Sequence, residues 1–586
     1  MKHSSLWLIL QKMRTPFLVI IFTYTISIIG LLIIDGVDSE GKTYHLTIFD
    51  AFYFISYTAT TIGFGETPFT FTYPQRIWVS MSIFFTVTGW FYSIGTLIAL
   101  LQNKLFLEEF ERAKFARKVA YLKEKYIIIL GYNAITSEII KKANEYGLRA
   151  VVIEKEEEKR DHLLLENFTP PVFCLNADAY NPEALELAGI KSPYCRAIVS
   201  LFENDALNLR IALTSKVLNP NIFMAIKSTT KNQTENLIDV GVQVVENPFE
   251  IIAEHIHMAI NTPHRLRLVR WIYGLCNLYD SLLMLPRGKY IVCGYGRMGK
   301  SIYEVLKQNH FEIAFAEIDP QKMNHNHTIT NQPMILIGDG DDKEILKQLG
   351  IEASVAIIAA TDDDTNNLSI LATAKKLNPN IITIARENEL DDFSIFENSN
   401  IDTIFIPAKV LINKTINAIL NPALDLFIKH VHYLSEEDVI ALTKKLLEIN
   451  LHPLLFTLKI DEAQAPILVQ NIPILTVNLS LLKTSLKNRN STNHLIPLMR
   501  VRNKKVELLP SWKSTLEKND LFLFAGDENA QDHLEYIANN FYEFHYAYHG
   551  EEKSFLTNSG KKSLYHLKTY KMNSKDCFFY FKMPLK

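Results

Sequence analysis

The chain has few cysteines: Cys174, Cys195, Cys276, Cys293 and Cys577 in 586 residues, with no CxxC pair. That excludes a disulfide frame and offers no zinc-site spacing, so the thiols read as reduced and cytosolic. Cys293 lies in an apolar strand and reads as core. Excess charge of one sign is also missing: 61 Lys and Arg stand against 64 Asp and Glu, a net −3. Without a basic field, nucleic acid is not an expected partner. Long charge-free runs are absent after Gln102. The two that exist, Phe17–Ile34 and Ile77–Leu101, are each long enough to cross a bilayer core of ~30 Å. Neither carries regularly spaced arginines, which excludes a voltage sensor of the usual kind. The start, Met1–Pro16, lacks the long apolar core and the cleavage site of a secretory signal. With Lys2, Lys12 and Arg14 around a short apolar patch, it reads as an interfacial helix. The length is too great for one core, and three or four domains are expected.

Between the two apolar runs lies Thr58-Ala-Thr-Thr-Ile-Gly-Phe-Gly-Glu66. Thr61, Ile62, Gly63, Phe64 and Gly65 can turn a ladder of backbone carbonyls toward a narrow axis, where these replace the water shell of a cation. The Thr61 hydroxyl adds the innermost ring. Successive carbonyls point one way only if some residues take left-handed dihedrals, which Gly63 and Gly65 do at little cost. Four copies are needed to enclose an ion, so the stretch implies a homotetramer. It resembles the selectivity filter of the potassium-channel family, with Phe64 where many members have Tyr and Glu66 where many have Asp. The resemblance implies K+ held at Thr61, Ile62, Gly63 and Phe64.

The loop after the first run carries Asp35, Asp38 and Glu40 against one Lys42, while Lys104, Arg112, Lys114, Arg117 and Lys118 follow the second. The positive-inside rule then puts both termini in the cytoplasm, in a bacterial-type inner (plasma) membrane. A pore domain is expected over residues 1–104: outer helix 17–34, pore helix 48–60, filter 61–65 and inner helix 77–101. Asp50, at the outer end of the pore helix, reads as a cap. Gly89 and Gly95 in the inner helix permit either a gating bend or close packing, and by the resemblance Gly89 is the preferred hinge. Residues 105–125 read as an amphipathic linker.

From Tyr126 short apolar strands alternate with helical patterns, which implies parallel βαβ units, and the pattern runs twice. YIIILG at Tyr126–Gly131 matches YIVCG at Tyr290–Gly294, and LNPNI occurs at Leu218–Ile222 and Leu377–Ile381. Asn208-Leu209 and Pro248 recur at the same spacing as Asn367-Leu368 and Pro407, the mark of a duplicated domain. The second copy has Gly294-Tyr295-Gly296-Arg297-Met298-Gly299 between strand and helix, and Glu317 ends the next strand. The three glycines suit a tight turn, close approach of backbone to phosphate, and helix–strand packing, with Glu317 on ribose hydroxyls. NAD or another adenine nucleotide is therefore the expected ligand. In the first copy Asn133 and Thr136 replace the second and third glycines, crowding the phosphate approach, although Glu154 keeps the acidic place.

With the pore, these lobes resemble RCK domains, the regulators of potassium conductance in bacterial ligand-gated potassium channels and Trk-type transport subunits. Asn176-Ala-Asp178, Gly338-Asp339 and Thr361-Asp-Asp-Asp364 are further matches. The resemblance implies lobes at 126–260 and 290–420, joined by crossover helices over 261–289. It also implies a cytoplasmic ring of eight lobes, two from each of four chains. Asp339 and Asp362 are expected near the nucleotide. Asp339, Asp341, Asp342 and Asp362–Asp364 could instead gather a divalent ion such as Ca2+, or serve as helix caps. His325 and His327 read as a polar loop. Residues 421–545 read as a small C-terminal domain with strands His494–Val501, Lys505–Leu509 and Leu521–Ala525, and 546–586 as a basic tail with Lys553, Lys561, Lys562, Lys568, Lys571 and Lys575.

The expected architecture is a membrane α-helical two-span pore domain, two α/β Rossmann-like RCK domains and a small α+β C-terminal domain. The expected function is a potassium-selective channel gated by nucleotide, not an enzyme. The alternatives are a membrane-tethered NAD-dependent oxidoreductase and a weakly selective cation channel.

Overall fold

The computed structural model describes residues 5–323, 333–388, 395–396, 398–488 and 491–553. His325, His327, Cys577, Lys2 and the tail lysines from Lys561 onward lie outside them. The chain divides near residue 123 into two compact units.

In the first unit, helix α1 (Ser5–Ile33) runs as one piece through Pro16, where a separate interfacial helix was expected. Apolar helices against lipid tolerate an interior proline, and the Pro16 carbonyl accepts the Ser93 hydroxyl at 3.1 Å. A short ladder, β1 (Gly36–Val37) with β2 (Thr43–Tyr44), leads to α2 (Ile48–Ala59). Thr47 and Asp50 form a capping box at its start, as the sequence suggests for Asp50. Helix α3 (Tyr73–Gln102) begins four residues earlier than the apolar run, because Thr72 and Gln75 cap it and Pro74 suits its first turn. Helix α4 (Lys104–Ala120) follows, capped by Asn103.

Met13–Ile33 and Tyr73–Gln102 are long and apolar enough to cross a membrane. Their outward residues are apolar and exposed, among them Phe22 at 66%, Phe84 at 76% and Ile33 at 71%. In water such a surface would be costly; against lipid it is neutral. Inward, Trp78 lies over Gly30, and its indole N–H donates to the Ser27 carbonyl at 3.1 Å. A Cβ on Gly30 would meet the Trp78 ring at 2.0 Å, so only glycine admits it.

In the second unit each lobe is a six-stranded parallel sheet. The first lobe contains β3 (Tyr126–Leu130), β4 (Arg149–Glu154), β5 (Phe173–Asn176), β6 (Cys195–Ser200), β7 (Phe223–Lys227) and β8 (Val244–Glu246), in the order β5-β4-β3-β6-β7-β8. The second contains β9 (Lys289–Cys293), β10 (Glu312–Glu317), β11 (Met334–Ile337), β12 (Ala356–Ala359), β13 (Ile382–Arg386) and β14 (Thr403–Phe405), in the order β11-β10-β9-β12-β13-β14. Both are the doubly wound order, in which ligands meet the sheet at the carboxyl ends of its central strands. The central strands are apolar at nearly every position because helices cover both faces.

Duplication extends to the packing. The repeated LNPNI ends equivalent helices, and its first asparagine ties down the preceding loop: Asn219 donates to the Ile190 carbonyl and Asn378 to that of Ile351. After each last strand come two crossover helices, Pro248–Asn261 with Pro263–Ile272 and Pro407–Leu420 with Pro422–Val431. Each lobe's crossover helix packs on the other's first helix: Pro248–Asn261 on Arg297–Gln308, and Pro407–Leu420 on Ala134–Glu145. The arginines of the first crossover are structural. Arg265 donates to the Leu434 carbonyl, and the His264 amide donates to Glu436.

The C-terminal domain is an antiparallel sheet of β15 (Leu454–Lys459), β16 (Leu495–Arg502), β17 (Lys505–Leu508) and β18 (Leu521–Gly526), ordered β15-β18-β16-β17. Helix Glu528–Asn539 covers it, and Phe541–His549 carries ordered chain past the expected limit at 545. Part of its core is continuous with that of the crossover helices, joining Trp271, Phe427, Leu455 and Leu523.

Candidate functional sites

The filter stretch leaves α2 through hydrogen bonds that reuse one acceptor: the Tyr57 carbonyl takes the Ile62 amide at 3.0 Å and the Gly63 amide at 3.3 Å. Thr61, Gly63 and Gly65 have φ of 61°, 66° and 75°. Every second residue is thus left-handed, the alternation needed to align successive carbonyls. The glycines are as expected. Thr61 is an addition, since a β-branched residue at positive φ is strained and sequence gives no sign of it. Two tyrosines of α2 brace the far end: Tyr57 donates its hydroxyl to the Glu66 carbonyl at 2.8 Å, and Tyr53 to the Glu66 carboxylate at 3.0 Å. Phe64 packs edge-on against Tyr57, with ring centroids 6.1 Å apart. Gly89 is buried, and a Cβ there would meet Thr23 Oγ1 at 3.1 Å, whereas Gly95 has open space around it.

In the second lobe the glycine loop joins β9 to helix Arg297–Gln308. Gly294 turns at φ 100°. A Cβ on Gly299 would lie 2.0 Å from the Gly294 carbonyl oxygen, so this position sets helix–strand packing. Gly296 caps the helix without a side chain, and a Cβ there would meet nothing within 4 Å. The first-turn amides are therefore open on the side where a phosphate would approach. Met298 is buried beneath the loop. Glu317, 3% exposed, accepts the Tyr295 amide at 2.5 Å and the Asp319 amide at 3.0 Å. It clips the loop to the next strand, a holding role that the sequence did not indicate.

The first lobe keeps this clip and closes the helix. Glu154 accepts the Tyr132 amide at 2.6 Å and the Glu156 amide at 2.8 Å. Asn133 and Thr136, in place of two glycines, cap each other's backbone, so the amide a phosphate would use is already taken. A cavity of 860 Å³ opens beside this helix, lined by Tyr132, Ser137, Lys142, Lys409 and Asn413 among others. Tyr132 donates to Glu166 across it, and burial with this bond pushes the phenol up to about 12.

The acidic loops are occupied. Asp342 caps helix Lys343–Gln348 and Asp363 caps Asp364–Leu377, while Asp341 accepts the Ser369 hydroxyl. Asp364 accepts the Asn388 amide and Asp362 pairs with Arg386 at 2.7 Å. Asp339 follows Gly338 at the sheet edge and accepts the Asp341 amide. Among the described residues no group of three His, Cys, Asp or Glu side chains could hold a metal ion. Cys293 is buried core as expected, its thiol pushed up to about 12 by burial.

Arg386, Glu203, Lys227 and Phe249 belong to the site region, and sequence reading missed them. Lys227–Glu203 in the first lobe repeats as Arg386–Asp362 in the second, at the same spacing as the LNPNI repeat, which is the signal that could have found them.

The TrkA-N domain model matches residues 127–248 and 290–407. "Potassium channel protein 1" of Methanocaldococcus jannaschii is 26% identical over 287 residues, covering 47% of this chain and 81% of that protein. "Trk system potassium uptake protein TrkA homolog" of Pyrococcus horikoshii is 23% identical over 28% of this chain and 75% of its own length. Among solved structures, "GsuK channel bound to NAD" aligns with 91% of this chain and 99% of that one, at 15% identity and a TM-score of 0.48. The chain therefore carries two TrkA-N (RCK) domains in tandem behind two apolar helices, and it is related in sequence to an archaeal potassium channel protein.

Proposed function

We propose that four copies of this chain form a potassium-selective channel whose cytoplasmic RCK lobes open or close the pore on binding an adenine nucleotide in the second lobe. The observation that carries this reading is the alternation of left-handed backbone at Thr61, Gly63 and Gly65 between two bilayer-length helices. The relationship to a protein named as a potassium channel supports it. The open helix N-terminus at Gly296 supports the second lobe as the nucleotide site, and the self-capped Asn133–Thr136 helix argues against the first. Tyr53, Tyr57 and Phe64 brace the filter, which favours selective over loose conduction. The packed Gly89 holds α3 against α1, leaving Gly95 as the freer point of bending. Both termini lie in the cytoplasm. Ca2+ has no place in this reading, because caps and ion pairs employ the acidic loops.

Potassium flux through purified protein in liposomes, with and without NAD and ADP, tests it. Nucleotide-dependent K+ flux that Gly296→Trp uncouples is the expected result. Flux indifferent to both nucleotides would refute the sensor, and absence of flux in every condition would refute the channel.

A further inference from the structure

Arg297 is the one cationic side chain within the glycine loop of the second lobe, and it does not stand alone there. Its guanidinium lies 3.0 Å from the Glu203 carboxylate, which comes from the loop after β6 in the first lobe. The guanidinium also sits over the ring of Phe249, 4.8 Å from the centroid, and Phe249 begins the first lobe's crossover helix. Arg386, at the carboxyl end of β13, rests near the same ring at 5.4 Å. One lobe thus grips the phosphate loop of the other at its only charged side chain.

The two ion pairs of Glu203 are unequal. Lys227 has a side chain only 5% exposed and pairs with Glu203. A buried ammonium left without its counter-ion is expensive, so Glu203 stays with Lys227. Arg297 is 44% exposed and is held by a solvent-facing pair, which is weak and easily exchanged. When one of the two bonds must give way, Arg297 is the group that leaves. The contact also runs one way. Ala134 stands in the first lobe where Arg297 stands in the second, so no reciprocal grip can form.

We propose that Glu203 is a residue of the second lobe's nucleotide site: it holds Arg297 when no phosphate is bound, and an incoming phosphate takes Arg297 from it. Binding in the second lobe then breaks an ion pair to the first, so ligand affinity and lobe–lobe attachment are linked in opposite senses. The inference rests on the nucleotide reading above and names the price that reading must include. It also assigns the first lobe a part in binding without a dinucleotide of its own.

The test is calorimetric titration of the full chain in detergent with ADP, in a cycle of Glu203→Gln and Arg297→Gln. Because Glu203→Gln strands buried Lys227, the paired variant Glu203→Gln with Lys227→Met is carried alongside, and melting curves check each protein. With Arg297 present, loss of Glu203 should tighten ADP about two- to fivefold, the worth of an exposed ion pair. With Arg297→Gln, the same change should leave ADP affinity where it was. Equal affinity with and without Glu203, or the same gain in both backgrounds, would overturn the inference while leaving the nucleotide site intact. No ADP binding by the unmodified chain would refute the nucleotide reading itself, and this inference with it.

Discussion

Lys414→Met should strongly weaken the joint between the lobes. Lys414 lies in crossover helix Pro407–Leu420, and its ammonium is 3.0 Å from the Glu246 carboxylate at the end of β8. Their side chains are 17% and 7% exposed, so the pair counts as buried. Tyr273 lies beside it, its ring centroid 5.7 Å from the ammonium. Deleting the lysine leaves Glu246 charged and desolvated, at a cost of about 3–5 kcal/mol. Part of that is avoided when Glu246 takes up a proton, since burial already pushes its carboxyl up. Replacing both, Lys414→Met with Glu246→Leu, should recover the loss, because a well-packed apolar pair often equals a buried ionic one. Trp271 is 2% exposed in the same core and reports on it by fluorescence during urea unfolding of the full chain. The single variant should lower the urea midpoint by about 1–2 M, and the double variant should restore it. A single-variant loss under about 1 kcal/mol would mean that the pair behaves as a solvated one, and would refute the argument.

Acid should loosen the same region through His255. Burial, with Arg270 and Lys414 nearby, lowers this imidazole to about 3. The unfolded chain binds the proton below its ordinary 6.5 and the folded chain does not. Stability from this group is therefore full above that value and falls by about 1.4 kcal/mol per pH unit as the solution is acidified. His255→Leu should flatten that slope in melting curves between pH 6.5 and 4; an unchanged slope would assign it to other groups. At the filter, Gly63→Ala places a Cβ at φ 66°, a cost of roughly 1–2 kcal/mol per chain. K+ flux should vanish while nucleotide binding by the TrkA-N lobes stays; normal flux would sink the filter assignment.

The fold was largely legible because duplication wrote it twice. The strand–glycine–helix opening and LNPNI each point to one architecture, and both sheets are built of parallel βαβ units as expected. Helix ends were less legible: α3 starts early because a side-chain cap reaches back from Gln75, and α1 runs on through Pro16, which apolar helices against lipid tolerate. In the candidate sites, glycine marked Gly63, Gly65, Gly294 and Gly299 plainly, since each needs a dihedral or an approach only glycine allows. Thr61 carries no such mark. The bond between Glu203 and Arg297 was hidden for another reason, although Arg297 itself was read as part of the glycine loop. The two residues occupy non-equivalent places in the two copies, so the repeat that reveals Lys227–Glu203 and Arg386–Asp362 says nothing about a bond between lobes.

The Ala134–Arg297 difference shows what covalent joining makes available. In a symmetric pair of identical lobes, every substitution appears at both ends of the joint, and a favourable change at one end must be tolerable at the other. In this chain Asn133 and Thr136 close one phosphate loop while Gly296 and Gly299 keep the other open, and the two meet across the same packed helices. Linkage on one polypeptide fixes the stoichiometry at one of each and holds the partners at high local concentration. The two copies can then diverge in role without risk of two like copies pairing by mistake.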